Sequence, residues 1–250
     1  MLTNERHEFI LNLLEEKGTI KIQDIVDQTS ASESTIRRDL TELESQNKLE
    51  RVFGGAVLPG RNLTEPSIED KSDRNQAEKI QIARIAASFV QDGDSIFLDA
   101  GTTTFQMIPF LKGKDVVVVT NGLTLVDALD AHGITTYLTG GRMKPSTGAL
   151  VGAQTIQSLK NYRFNLCFLG VNGFHQDLGF TTPDPEEAAV KREASTLSRE
   201  TYVLADHSKA NKVSFAKIME LDEAFLVVDG LPPGLLDALE KKTIVKVGTR

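Results

Sequence analysis

The chain is poor in the residues that build metal centres and covalent cross-links. It holds one cysteine, Cys167, in 250 residues. A single thiol excludes an internal disulfide and a cysteine-based metal site. Its setting, Leu166-Cys167-Phe168-Leu169, reads as a packing position in a reducing compartment. The four histidines, His7, His132, His175 and His207, lack i, i+4 pairing and an accompanying set of carboxylates, so no metal site is expected. The order of serines, histidines and aspartates implies no catalytic grouping. No apolar run approaches the roughly 20 residues that cross a bilayer. The start, MLTNERHEF, carries acids and no apolar stretch, so neither a membrane span nor a signal peptide is expected, and the expected compartment is the cytoplasm. An excess of positive charge is also missing. The net charge is −7, and the first 58 residues hold seven lysines and arginines against eleven acids. A nucleic-acid reading must therefore rest on where the positive charges point, not on their sum.

What is present suits a globular protein: 40% apolar and 25% charged residues, with length enough for a small domain and a medium one. Residues 3–17 carry Phe9, Ile10, Leu13 and Leu14 at helical spacing, and Gly18 can end that helix. Residues 21–28 repeat the pattern briefly with Ile22, Ile25 and Val26. After the turn Thr29-Ser30-Ala31, Ser32 is an N-cap candidate for a third helix reaching about residue 46. On that helix Ile36, Leu40 and Leu43 share one side. At about 100° per residue, Ser34, Arg38 and Thr41 fall opposite and Arg37 on the flank. Two arginines and two hydroxyls facing outward suit a helix that reads base edges in a major groove. The following stretch, residues 49–57, has β-prone runs around Gly54-Gly55 and reads as a hairpin, a wing whose Arg51 can approach phosphates.

Residues 59–75 are polar, with two prolines and no steady apolar period, which is linker composition. The expected division is therefore 1–58, a linker at 59–75, and 76–250. In the last segment apolar runs alternate with helical patterns. Strands are expected at 95–99, 116–120, 135–138, 166–170, 201–205, 224–228 and 244–247, with helices around 104–111, 123–131, 185–199 and 234–242. Continuous apolar runs suit strands buried on both faces, so a mainly parallel α/β sheet follows. Ligands of such sheets bind at the C-terminal strand ends. The loops expected there are Asp99-Ala100-Gly101-Thr102-Thr103-Thr104, Thr120-Asn121-Gly122, Thr139-Gly140-Gly141-Arg142, Gly170-Val171-Asn172-Gly173 and Asp206-His207-Ser208-Lys209. They are polar and mostly small, the lining of a site for a small polar ligand. A glycine and three hydroxyls opening a helix make a phosphate cradle as readily as an ordinary N-cap. Glu187 and Lys191, four apart, read by themselves as a surface pair.

The run Ser32-Glu33-Ser34-Thr35-Ile36-Arg37-Arg38-Asp39-Leu40, followed by Arg51-Val52-Phe53-Gly54-Gly55-Ala56, resembles the DeoR family of bacterial repressors. The second half is similar to that family's sugar-phosphate-sensing domain, related in fold to ribose-5-phosphate isomerase. The matching pieces are Asp-x-Gly-Thr-Thr at 99–103, Gly-Val-Asn-Gly at 170–173, Glu187 with Lys191, and Val-Leu-Ala-Asp-His-Ser-Lys at 203–209. The resemblance implies a winged helix-turn-helix joined to a larger, mainly parallel α/β domain. It implies DNA contacts from Ser34, Thr35, Arg37, Arg38, Thr41 and Arg51. It places a phosphate on Gly101, Thr102, Thr103 and Thr104, and the sugar end near Asp99, Asn172, Glu187, Lys191 and Lys209, with Asn121, Gly140 and Gly141 lining the pocket. The implied function is repression of a sugar-utilisation operon, relieved by a phosphorylated sugar. The partners are double-stranded operator DNA and that sugar, with no membrane and no cofactor, in a homo-oligomer (dimer or tetramer). The overall likeness is to the fructose-operon branch, whose inducer would be fructose 1-phosphate. The alternative is a sugar-phosphate isomerase. Where the isomerase pattern carries acids in Asp-Gly-Ala-Asp-Glu, this chain has Gly170-Val171-Asn172-Gly173-Phe174, and an amide does not exchange protons as a carboxylate does. Binding without turnover, and no catalytic residues, are therefore expected.

Overall fold

The computed structural model describes residues 2–17, 19–29, 31–46, 48–52, 54–57, 68–72 and 74–248. The chain divides into two units, Met1–Pro66 and Ser67–Arg250. Gly18, Ser30, Phe53 and residues 58–67, which carried parts of the turn, hairpin and linker readings, lie outside the described residues.

In the first unit α1 (Thr3–Lys17), β1 (Thr19–Lys21), α2 (Ile22–Thr29) and α3 (Glu33–Ser45) precede a hairpin of β2 (Glu50–Val52) and β3 (Gly55–Val57). The apolar stripes of the three helices meet in one core, where Ile10, Leu14, Ile25, Ile36, Leu40 and Leu43 are fully buried. Ser32 caps α3, its hydroxyl accepting from the Thr35 N–H at 3.3 Å. The strands form an antiparallel sheet in the order β1-β3-β2. The close pairing requires glycine at 55, because a Cβ there would lie 1.9 Å from the Ile20 carbonyl oxygen. β1 is a strand where a helical start was expected at Lys21.

The second unit opens with α4 (Ile68–Ser72), a helix inside the stretch expected to be linker, and α5 (Gln76–Ser88). Next come β4 (Ser95–Leu98), α6 (Thr102–Phe105), α7 (Ile108–Leu111), β5 (Val117–Thr120), α8 (Leu123–Ala131) and β6 (Thr135–Leu138). A hairpin of β7 (Arg142–Met143) and β8 (Leu150–Val151) leads to α9 (Ala153–Leu159), β9 (Phe164–Gly170), β10 (Gly173–His175) and β11 (Gly179–Thr182). The chain closes with α10 (Pro185–Thr196), β12 (Ser198–Leu204), β13 (Ala216–Met219), β14 (Phe225–Val228), α11 (Pro233–Glu240) and β15 (Val245–Val247). The seven expected strands form one parallel sheet in the order β15-β14-β12-β9-β4-β5-β6. Their runs are continuously apolar because successive residues feed two different cores. Phe97, Cys167 and Leu169 face one, and Ile96, Leu98 and Phe168 the other. Each fully buried Phe contributes about 1.5–3 kcal/mol. A separate antiparallel sheet, β10-β11-β13, packs beside the first core.

The strand order places the site. From β4 the chain steps outward through β5 and β6, then returns to β9 on the other side of β4. The chain therefore leaves β4 and β9 toward opposite sides of the sheet, the topological position where parallel sheets hold their ligands.

Candidate functional site

The reader surface lies on α3. Ser34, Arg37, Arg38 and Thr41 are exposed and Thr35 is half-buried. Their side chains are not equally available. Arg37 pairs with Glu33 one turn back, Nε to Oε1 3.0 Å. The Thr35 and Ser34 hydroxyls bond the Ser32 cap at 2.8 and 2.9 Å. Thr41 donates to the Arg37 carbonyl at 2.8 Å and accepts from the Arg51 guanidinium at 2.7 Å, so the wing arginine is tied back to the helix. Among the described residues, Arg38 bonds no other side chain. Some of the acids that make the first unit net negative are held in structural contacts. Asp39 is buried and pairs with Arg6 of α1, with Nη2 to Oδ1 3.0 Å, and with His7 at 3.3 Å. The hydrogen bonds of Asp39 hold the Arg6 guanidinium further toward its charged form. Glu44 accepts the Arg51 backbone N–H at 2.9 Å.

At the C-terminal ends of β4 and β9, Asp99 is 2% exposed and Lys191 of α10 6%, and the two form an ion pair. Asp99 also accepts the Gly170 N–H at 3.0 Å, which joins the first loop to the fourth. Burying two charges is unfavourable unless each is paired and hydrogen-bonded, as here. One turn back along α10, Glu187 (5% exposed) accepts from Lys144 Nζ and the Thr147 hydroxyl, both at 3.0 Å. Lys144 reaches Asp184 as well, at 2.8 Å. Burial works against the Asp184 carboxylate, but Lys144 and the first N–H groups of α10 outweigh it and hold the group below its ordinary range. Glu187 and Lys191 are thus buried at the sheet end rather than a surface pair.

The threonine loop divides its labour. Thr104 is fully buried, and its hydroxyl donates to the carbonyls of Asp99 at 2.6 Å and Gly101 at 2.8 Å while accepting the Gly101 N–H at 3.0 Å. That hydroxyl holds the loop and has no proton left to offer. Thr102 and Thr103 open α6, whose first-turn N–H groups lack an intrahelical acceptor. Asn121 is likewise locked, its carbonyl oxygen accepting the Ala100 N–H and its amide donating to the Leu150 carbonyl, both at 3.2 Å. Asn172 accepts from Thr182 at 3.1 Å. Gly141 sits at φ +131°, where a Cβ would be 2.0 Å from the Thr155 hydroxyl, so close packing accounts for this glycine. Gly140 accepts from the same hydroxyl at 2.7 Å, and its own face is open.

A second pole of the edge is basic. Lys209 lies in a short turn capped by Asp206, which accepts the Ser208 N–H at 3.0 Å and the Asn75 amide at 2.8 Å. Burial, with the neighbouring ammonium groups of Lys71, Lys212 and Lys79, pulls Lys209 down to about 8 against the attraction of Asp206. Lys79, only 4% exposed, donates to the Lys71 carbonyl. The sequence reading missed Lys79, Lys144 and Thr147, and it named Asp206 only as the first residue of its loop. Lys79 was detectable, because on α5 it stands three, four and seven residues before the buried Ile82, Ala83 and Ala86, an apolar-face position.

Elsewhere, a surface cavity of about 490 Å³ lies at the opposite, N-terminal ends of β12, β14 and β15, lined by acids and bases together, among them Arg199, Glu200, Asp222, Glu240 and Lys242. Cys167 is fully buried, and burial pushes its thiol up, which leaves it unreactive. Among the described residues no group of histidines, cysteines and acids suits a metal, and no helix is long and apolar enough to cross a membrane.

Residues 6–62 match the DeoR-like helix-turn-helix domain, and residues 74–230 match the DeoR C terminal sensor domain. The chain is 45% identical over 248 residues to the HTH-type transcriptional regulator FruR of Bacillus subtilis (strain 168), covering 99% of each chain. It is 36% identical to the HTH-type transcriptional repressor GlcR of the same organism, over 93% of this chain and 90% of that one. To the lactose phosphotransferase system repressor of Staphylococcus aureus (strain N315) it is 35% identical, over 91% and 92%. Among solved structures, ribose 5-phosphate isomerase A from Neisseria gonorrhoeae superposes with a TM-score of 0.41 and 17% identity over 54% of this chain and 53% of that one, too slight a likeness to assign anything. The full-length relatives are regulators and repressors, not enzymes, which sets the isomerase alternative aside. With a helix-turn-helix at one end and a sensor domain at the other, the chain belongs to the DeoR family of DNA-binding transcriptional regulators.

Proposed function

We propose that the chain represses a sugar-utilisation operon and is released from its operator by a phosphorylated sugar bound at the C-terminal edge of the seven-stranded sheet. The observation that carries this reading is the chemical polarity of that edge. Asp99, Glu187 and Lys191 supply buried, oriented acceptors and a donor suited to sugar hydroxyls, while Lys79 and Lys209 supply positive charge suited to a phosphate. The phosphate rests against Gly101, Thr102 and Thr103, with Thr104 bracing the loop. Asn172, Asn121 and Gly140 lie at neighbouring strand ends and shape the pocket, and Gly141 lets the loop after β6 approach α9. In this scheme residues 1–58 read DNA, 59–75 connect, and 76–250 hold the effector. Arg38 reads bases, Arg51 contacts the backbone, and Ser34, Thr35, Arg37 and Thr41 frame the contact. The protein works in the cytoplasm as a symmetric oligomer reading repeated half-sites.

Fructose 1-phosphate is the first effector to test, on the resemblance to the fructose-operon branch. The experiment is a thermal-shift screen of the full chain against sugar phosphates and their unphosphorylated sugars. A ligand at about 100 times its Kd stabilises by about 2.7 kcal/mol. The reading predicts a shift with a sugar phosphate and none with the free sugar. Equal shifts for both would refute the phosphate subsite.

A further inference from the structure

The segment that leads into the sensor unit is bound to the same loops that form its candidate site. The backbone N–H of Ile68, first residue of α4, donates to the Ser146 carbonyl at 3.0 Å. Ser146 precedes Thr147 and stands two residues after Lys144, both bonded to Glu187. At its other end the segment bonds the 206–209 turn. Asn75 holds a left-handed conformation, φ 52°, and donates to the same Asp206 oxygen that accepts the Ser208 N–H of the turn carrying Lys209. Beyond the second anchor, Lys79 Nζ donates back to the Lys71 carbonyl and so fastens the C-terminal end of α4 to α5, and both helices pack against α6.

We propose that α4 together with residues 74–79 forms a strap that reports occupancy of the effector site to the DNA-binding unit, through the Ile68–Ser146 and Asn75–Asp206 hydrogen bonds. This rests on placing the effector at this sheet edge. The strap is the first described part of the sensor unit after the boundary at Pro66, so in sequence it is where the sensor joins the chain from the reader. Its charge explains the sensitivity. Lys71 and Lys79 belong to the strap and Lys212 to the facing turn, and all three act against the charge on Lys209, which Asp206 favours. A phosphate among them offsets that repulsion and tightens the strap. The ligand thereby shifts the equilibrium between two placements of the strap, the differential affinity that coupling requires.

Two substitutions cut the strap's anchors without touching the site. Ile68→Pro deletes the N–H donor at a first helical position that proline tolerates, and Ile68→Ala controls for the lost side chain. Asn75→Gly keeps the left-handed backbone and removes only the amide. Operator affinity of the full chain is measured with and without fructose 1-phosphate, and binding of that compound is measured separately by calorimetry. The parent is expected to show coupling of about 5–150-fold. Ile68→Pro and Asn75→Gly should bind DNA and fructose 1-phosphate within about three-fold of the parent yet lose most of the coupling, while Ile68→Ala keeps it. Parental coupling in both anchor variants would overturn the strap. The second measurement is hydrogen exchange of the unmodified protein in inorganic phosphate against chloride of equal ionic strength. Slower exchange is expected in the strap together with 99–104 and 206–209. Slowing at the two loops alone would overturn the strap; no slowing at any of the three would overturn the effector site and the strap with it.

Discussion

Replacing Lys191 by Met should unfold the sensor unit at a much lower temperature, and the size of the effect follows from the burial of its partner. Asp99 is 2% exposed and Lys191 6%, and apart from Lys191 the Asp99 carboxylate accepts the Gly170 N–H at 3.0 Å. Methionine matches the lysine stem in volume, so little packing is lost. What remains is a buried carboxylate without its counter-charge, a change that costs about 3–5 kcal/mol. For a unit of this size each kcal/mol shifts Tm by about 2–4 °C, which gives a fall of about 6–20 °C. Adding Asp99→Asn removes the stranded charge while keeping an oxygen for Gly170. The double variant should therefore recover to within about 1–2 kcal/mol of the parent. It should also ignore the effector, since both charged groups are gone. The assay is thermal and urea denaturation of the full chain, with the two transitions followed separately. A Lys191→Met variant within about 1 kcal/mol of the parent, or a double variant no more stable than the single, would refute the reasoning.

Other expectations follow from the same geometry. Arg38→Ala should weaken operator binding by about 1–3 kcal/mol, relax discrimination at one base position and leave folding unchanged, as read by anisotropy titration on operator and scrambled DNA. Arg51→Ala should weaken both DNAs alike and reduce the salt slope by about one unit; a loss confined to operator would contradict a backbone role. Lys209 titrates near 8 in the folded chain, below its ordinary 10.5. The folded protein sheds this proton first, so this group makes ligand-free stability rise with pH between about 8 and 10.5. A phosphate beside Lys209 restores the proton, so effector binding should take up a proton above pH 8 and weaken by as much as about ten-fold per unit. Calorimetry in buffers of different ionisation enthalpy checks this, and pH-independent affinity between 7 and 10 would contradict it.

The parts of the fold legible in the chain are those whose burial leaves a period. The helices around Ile10, Ile25 and Ile36 carry clear stripes, and the parallel strands carry unbroken apolar runs because Ile96 and Phe97, or Cys167 and Phe168, feed opposite cores. Short polar elements leave no such mark. β7 and β8 are two residues each, and α9 buries only Thr155 and Leu159. The expected helix 185–199 ends at Thr196 because Ser198, Arg199 and Glu200 already begin β12 at its half-exposed end, where no apolar signal is needed. The loops of the site were visible as small polar stretches at strand ends. Their inner division was not: a sequence does not say that Thr104 and Asn121 turn their polar atoms inward while the Ile68 backbone and Asn75 reach across to the same edge.

In the proposed scheme a sugar phosphate on the threonine loop governs DNA binding by helix α3. Thr103→Asp tests it most directly. Thr103 is in the first turn of α6 but only 8% exposed, so thermal unfolding of the variant is measured first, and in the folded variant a bound phosphate meets like charge. Operator affinity of parent and variant is titrated across a panel of sugar phosphates that includes fructose 1-phosphate. The account predicts equal operator affinity without ligand, release of the parent by one member of the panel, and a variant that stays bound at the concentration that frees the parent. Release of Thr103→Asp at the parental concentration would contradict it.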